Sequence, residues 1–391
     1  MKKMRVFLIW RALMVVTFCE DQCVDAIRYA FDERNKARLH SEQERRIRLD
    51  GRVLKSSFIP SDLLPREKES YTPFIERCFA GMDAKTLMLV LHNCHTYAPS
   101  AYKSARSFLA PLVEKLGAPS VMVGLDMFVG KYLSRREMLH KDTGMVFMFP
   151  LINHKSMLVW PWEYFADQAP DSEFVNCNLH WVNFEDHLQE AKILTGRPGQ
   201  ALYWPSKWWH MANTRDLTPT LTMNVTWYMA STIRELISPV IEKALRNPGL
   251  SKRIDQLPVQ LNGDIKLGDI ILPNEVNDFM TGLETVLKYF CIQRDTSAGF
   301  ANVPRVIEAV TGKKISLSDP KFKIVKVLEP NGAMGVVFDG KTIRFPTAGT
   351  VSIVIDALNS GEIFDMSIKE NAPYEKIMNE LAKVGAVRAS E

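Results

Sequence analysis

At 391 residues the chain is long enough for two or three domains, and 46% hydrophobic against 24% charged residues is a globular rather than a disordered composition. A formal net charge of +4 is small for this length and lends no support to nucleic-acid binding, which needs a concentrated basic patch. The six cysteines (Cys19, Cys23, Cys78, Cys94, Cys177 and Cys291) are scattered without a CxxC pair, which argues against a disulfide framework and reads as reduced thiols of a cytoplasmic protein.

The N-terminus, Met1 to Arg5 followed by an apolar run to Phe18, has the outline of a signal peptide. Arg11 interrupts that run, no small-x-small cleavage site follows, and Glu20-Asp21 arrive at once. It reads as a buried N-terminal element, and no membrane association is expected. Cys23 to Arg48 reads as a charged helical stretch, with Arg34 to Arg52 a solvated face. Lys85 to Leu91 is a strand by its aliphatic run. His92-Asn93-Cys94-His95 has the look of a metal cluster but lacks a fourth ligand at a matching distance, so a structural role is expected. Phe108, Leu109, Leu112, Val113 and Leu116 have helical spacing, and Gly117 ends that helix.

From Ser120 the character changes to short strands: Val121 to Val129, Val146 to Leu151, Lys155 to Trp160, Phe174 to Val182, Ala191 to Thr195, Gln200 to Trp204 and Thr218 to Tyr228. About seven or eight such strands, separated by short polar turns, predict a β-sandwich or jelly roll of cupin type. Helices follow over Ile233 to Leu245, closed by Asn247-Pro248-Gly249, and over Glu275 to Ile292. The tail from Phe322 reads strand, turn at Asp339-Gly340, strand (Thr342 to Phe345), helix (Val351 to Leu358), short strand, helix (Tyr374 to Val384). Two helices with a small β-ribbon fit a winged helix, although Tyr374 to Val384 is close to neutral and DNA binding is not expected.

The chemistry gathers at Leu139-His140-Lys141-Asp142 and Trp208-Trp209-His210. On a strand, His-x-Asp points both side chains to one face because side chains alternate with period two. With His210 they make the two-histidine, one-carboxylate set that holds non-haem Fe(II) on three positions and leaves the others open. His210 is carried in on a strand after the Pro205-Ser206-Lys207 turn. Lys155, among apolar neighbours thirteen positions after Asp142, can meet a cosubstrate carboxylate. Asn224 lies inside an otherwise apolar strand and must find partners or cost stability. Trp160, Trp162, Trp204, Trp208 and Trp209 are mostly explained by core packing, with a substrate cleft the lesser reading.

These residues (the Leu139-His140-Lys141-Asp142 run, Lys155, Pro205 to His210, and Asn224) resemble the JmjC oxygenases, cupin-fold enzymes dependent on Fe(II) and 2-oxoglutarate. The layout over about residues 85 to 391 resembles their ribosomal-oxygenase branch. The resemblance implies a mainly β fold with α: a double-stranded β-helix within residues 1–231, a helical dimerisation region over 232–315 and a winged helix over 316–391. It implies His140, Asp142 and His210 as metal ligands, Lys155 and Asn224 as 2-oxoglutarate residues, and a homodimer. The implied reaction is oxidative decarboxylation of 2-oxoglutarate to succinate and CO2, coupled through O2 to hydroxylation of a C–H bond on a protein or peptide side chain. Hydroxylating an N-methyl group the same way would demethylate it. Arg135-Arg136-Glu137-Met138 depart from the small residues usual before the first ligand, so the branch's substrate does not carry over. Two alternatives are the same chemistry on a free amino acid or small metabolite, and a non-catalytic cupin and winged-helix sensor.

Overall fold

The computed structural model describes residues 18–32, 45–54, 59–80, 85–132, 139–173, 175–213, 218–229, 232–246, 274–304 and 314–389. The apolar start, the charged run at 34–44, Arg135 to Met138 and the Asn247-Pro248-Gly249 helix stop all lie outside the described residues. The chain divides into two compact units, residues 1–229 with 298–308, and residues 230–297 with 309–391.

The first unit holds, in chain order, α1 (Glu20–Phe31), β1 (Arg45–Leu49), β2 (Arg52–Leu54), α2 (Tyr71–Ala80), β3 (Leu87–Leu91), α3 (Pro99–Leu116), β4 (Met122–Lys131), β5 (His140–Lys141), β6 (Gly144–Ile152), β7 (Lys155–Trp160), β8 (Cys177–Asn178), β9 (Lys192–Gly196), β10 (Leu202–Trp204), β11 (Trp209–Ala212) and β12 (Thr220–Tyr228). The strands form two antiparallel sheets, one ordered β10-β6-β12-β4-β3-β1-β2 and the other β8-β5-β11-β7-β9. Alternation along each strand assigns its faces. Leu221, Met223, Val225 and Trp227 of β12 join Leu125, Met127 and Val129 of β4 in the core shared with α1, α2 and α3. The opposite face of the large sheet supplies Val146, Met148, Leu202 and Trp204, which pack with Met157, Val159 and Ala212 of the small sheet. The two sheets thus close on one another as the cupin type requires. Leu158, Trp160, Trp209 and Met211 point away, under the connection that carries Phe165, Leu179 and Val182.

Local chemistry explains the boundaries. α3 has Pro near its start and Gly117 at φ 77° after its end, where the Gly117 N–H donates to the Val113 carbonyl. Gly130, at φ 133°, lies where a Cβ would stand 2.1 Å from the Leu87 carbonyl oxygen, so β3 and β4 can pair there only around a glycine. Two expectations are corrected. The helix opened near Cys23 ends at Phe31, and Arg45–Leu49 is a strand paired with both β2 and β3; that pairing outweighs its charged, helix-favouring side chains. Beyond Phe174, itself outside the described residues, only Cys177–Asn178 is a strand, because the apolar residues Leu179 and Val182 serve a loop-covered cluster instead of a sheet.

The second unit contains α4 (Ile233–Leu245), α5 (Asn274–Thr296), β13 (Lys314–Leu317), β14 (Val325–Leu328), β15 (Met334–Phe338), β16 (Lys341–Phe345), α6 (Gly349–Ser360), β17 (Phe364–Asp365), α7 (Glu375–Lys383) and β18 (Val387–Ala389). The strands make two three-stranded sheets, β17-β13-β18 and β14-β15-β16, around a core fed by α6 and α7. The predicted turn at Asp339-Gly340 closes the β15–β16 hairpin with both residues at positive φ. No described helix is long and apolar enough to cross a membrane.

Candidate metal and cosubstrate site

The residues predicted to bind metal come together. His210 of β11 stands directly opposite His140 of β5 in antiparallel register, with ring centroids 4.2 Å apart. Asp142 follows β5, and its Oδ2 lies 3.6 Å from His210 Nε2 and 3.9 Å from His140 Nε2. The three potential ligand atoms all lie within 4.8 Å of one another, the only such histidine, cysteine and carboxylate group among the described residues. The turn from β10 to β11 passes from the large sheet to the small one at this point. Its Lys207 adopts φ 68° and donates its backbone N–H to the Asp142 carbonyl at 2.9 Å, so one left-handed residue ties the turn before His210 to Asp142.

His210 is prepared for coordination. It is 4% exposed, and its Nδ1 lies 3.0 Å from the Trp208 carbonyl. A carbonyl only accepts, so Nδ1 carries the proton and the Nε2 lone pair faces Asp142. Burial, and then the neighbouring His140, push its pKa down to about 4, against the opposing pull of Asp142. At neutral pH this ring needs no deprotonation before it can bind a metal.

Lys155 opens β7 on the same face. His210 pairs with Val159, and Lys155 lies four residues back, about 13 Å along the strand at roughly 3.3 Å per residue. It is 2% exposed, and its Nζ donates to Tyr132 Oη at 2.6 Å. Among the described residues its ammonium meets no carboxylate, which leaves a buried positive charge facing the sandwich interior. Across that interior, Asn224 pairs with Met148 and Asp126 in the large sheet.

Three buried polar atoms here have no protein partner: Asn224 Oδ1, Thr222 Oγ1 and Trp204 Nε1. Trp204 lies against His210, with ring centroids 4.9 Å apart and the planes tilted by 44°. A buried cation with orphaned hydrogen-bonding groups in one interior fits a polar, negatively charged ligand better than an apolar core, and the imidazole and carboxylate set fits a first-row divalent metal. The donor set present therefore fits both Fe(II) and 2-oxoglutarate.

Sequence reasoning missed Tyr132, Thr222 and the His92–Asp126 pair. His92 Nδ1 lies 3.4 Å from Asp126 Oδ1, which also accepts the Asn93 N–H at 2.9 Å. Burial lowers the His92 pKa, but its hydrogen bond and charge pairing with Asp126 outweigh that and leave it raised. The Asp142 carboxylate acts on His92 and Tyr228 as well, so both lie within electrostatic reach of it. The alternating pattern of β12 was the available signal for Thr222, which shares a face with Asn224. Nothing local marked Tyr132. Cys94 and His95 are buried, and His95 Nε2 bonds the Ala301 carbonyl at 2.8 Å, the structural role expected of that cluster. Of the tryptophans, Trp160, Trp162 and Trp209 belong to the outer cluster and only Trp204 to the interior; Trp208 lies under the Lys192 ammonium at its edge.

No family model and no curated protein matches the sequence. Among solved structures, the chain is similar to YcfD, a ribosomal oxygenase from Escherichia coli, in complex with cobalt and 2-oxoglutarate, at 13% identity over 96% of this chain and 91% of that one, with a TM-score of 0.46. The same protein with cobalt and succinic acid gives 14% identity over 88% and 85%, with a TM-score of 0.42. SnoN, a non-haem α-ketoglutarate-dependent epimerase from nogalamycin biosynthesis, gives 14% identity over 36% of this chain and 63% of that one, with a TM-score of 0.26.

Proposed function

We propose that this protein is an Fe(II)- and 2-oxoglutarate-dependent oxygenase that hydroxylates a C–H bond of a protein or peptide side chain. The observation that carries the proposal is the His140, Asp142 and His210 set, closed to 4.8 Å with the His210 tautomer fixed by the Trp208 carbonyl. His140, Asp142 and His210 would hold the metal, and Lys155, with Tyr132 beside it, would pair with the far carboxylate of 2-oxoglutarate. Asn224 and Thr222 would supply hydrogen bonds to the cosubstrate. When bound, the metal and cosubstrate supply the activation of O2, with succinate and CO2 as coproducts. The chain's own contribution is placement: His210 offers an unprotonated nitrogen, Asp142 a charge, and the packed tryptophan Trp204 keeps water from one side of the ring pair.

A protein or peptide substrate is supported by the second unit, which has its own core and takes no part in the metal set. Within this proposal, residues 1–231 are catalytic, 232–315 dimerise the chain, and 316–391 are a winged-helix module that offers substrate contacts. The protein acts in the cytoplasm.

The test is succinate formation from 2-oxoglutarate by anaerobically Fe(II)-loaded protein on admission of air. Turnover should vanish in His140→Ala, and Lys155→Ala should need on the order of 10- to 100-fold more 2-oxoglutarate, the worth of one charge-assisted hydrogen bond. A parent protein that neither turns over nor binds 2-oxoglutarate would leave the ligand-sensor reading in front.

A further inference from the structure

Between His140 of β5 and Asp142, which follows the strand, stands Lys141, whose side chain points to the face of the sheet opposite His140. It is fully buried, which is costly for an ammonium without complete hydrogen bonding. Its Nζ donates to the carbonyls of Ser172, of Glu173 at 3.3 Å and of Val175 at 2.6 Å. Three N–H donors thus meet the carbonyl oxygens of Ser172, Glu173 and Val175, at the end of a short 3-10 turn (Pro170–Ser172). The same ammonium lies 4.9 Å from the Trp162 ring centroid and 5.7 Å from that of Trp209. Trp209 is the cross-strand partner of Lys141, just as His210 is of His140. One face of the β5–β11 pair therefore carries two metal ligands, and the other carries a cation between two indoles.

The segment that Lys141 gathers also holds the ligand strand in several other ways. Asn176 Oδ1 accepts the Thr143 N–H at 2.9 Å, and Leu179 N–H donates to the Leu139 carbonyl at 2.9 Å. Glu173 Oε1 pairs with Lys207 Nζ at 3.0 Å, and Lys207 is the residue whose backbone N–H holds the Asp142 carbonyl. β5 is only two residues long, so its own ladder contributes little to its position. We infer that Lys141 is a positioning residue, which clamps Ser172, Glu173 and Val175 behind β5 and so fixes the separation and direction of His140 and Asp142.

This rests on the metal reading of the site, and Co(II) alone, followed by its visible absorption and by tryptophan quenching, tests both without turnover. Lys141→Met should weaken Co(II) binding about 10- to 100-fold, the loss usual when a group supporting metal ligands is removed, and should change the absorption of the saturated site. Lys141→Arg, which keeps a cation and several donors, should recover most of the affinity. Glu173→Gln loosens the same segment from a half-exposed position, and should weaken Co(II) binding by a smaller factor even where Lys141→Met does not fold. A parent that binds no Co(II) overturns the metal reading itself. A parent that binds, beside a folded Lys141→Met with unchanged affinity and spectrum, overturns the role of Lys141 alone. If Lys141→Met does not fold, unchanged Co(II) affinity and spectrum in a folded Lys141→Gln, which removes the charge and keeps at most two of the three hydrogen bonds, does so.

Discussion

The interior of the β-sandwich and the core of the second unit both bury aliphatic side chains, yet they treat polar atoms differently. In the second unit Tyr289 Oη donates to Glu329 Oε1 at 2.7 Å, and Arg344 pairs with the other oxygen of the same carboxylate. Asn359 accepts the Ile324 N–H and donates back to the Ile324 carbonyl, and the Ser318 hydroxyl reaches the Gly385 carbonyl at 2.6 Å. Among the described residues, no buried side-chain nitrogen or oxygen of that unit lacks a partner. The sandwich, which also buries Lys155, leaves polar atoms of Asn224, Thr222 and Trp204 without a protein partner. A core that only has to fold satisfies its polar groups internally, whereas one that must receive a polar ligand holds some of them in reserve at a cost in stability.

Four outcomes would break or sharpen that contrast. The largest is His210→Ala, which should remove metal binding by more than the roughly 100-fold typical of supporting residues, as read by Co(II) titration. An unchanged affinity would mean the triad is not the site. Thr222→Val comes next and divides stability from binding. With an isosteric side chain replacing an unpartnered hydroxyl, the ligand-free protein should gain up to about 1 kcal/mol in urea unfolding, while 2-oxoglutarate binds more weakly. Tyr289→Phe in the second unit should do the opposite to stability, losing about 1 kcal/mol with 2-oxoglutarate binding unaltered.

The smallest effects are those of acid. His210 in the folded metal-free protein takes up its proton only near pH 4, whereas in the unfolded chain it does so near 6.5. The unfolded state therefore binds more protons between those values, and stability of the sandwich should fall as pH drops through that window. Glu329 is lowered first by its hydrogen bond from Arg344, so its contribution is present above 4.5 and is lost as pH falls below it. Arg344 is mostly exposed, so salt should screen that second loss. Glu329→Gln should flatten this limb, and a second-unit acid transition unmoved by that change would count against the pairing.

Much of the site was readable before the fold. The His-x-Asp spacing and a histidine after a proline turn named the residues that the structure brings together: His140 on β5, Asp142 just after it, and His210 on β11. The hairpin at Asp339-Gly340 and helices α4 and α5 likewise follow from turn residues and spacing. The failures are instructive. Arg45-Arg46-Ile47-Arg48 looks helical because its charges favour a helix locally, while its state is decided by β3, some forty residues away. The apolar residues around Leu179 look like a strand, but they lie in the connection that covers the back of the small sheet.

The sequence by itself determined which residues could bind a metal, which strands they ride on, and the alternation that separates His140 and Asp142 from Lys141. Tertiary structure decided what surrounds them. Tyr132 beside Lys155, the unpartnered Thr222, and the three carbonyls around Lys141 come from segments far apart in the chain, brought together by pairing and packing that local periodicity does not encode.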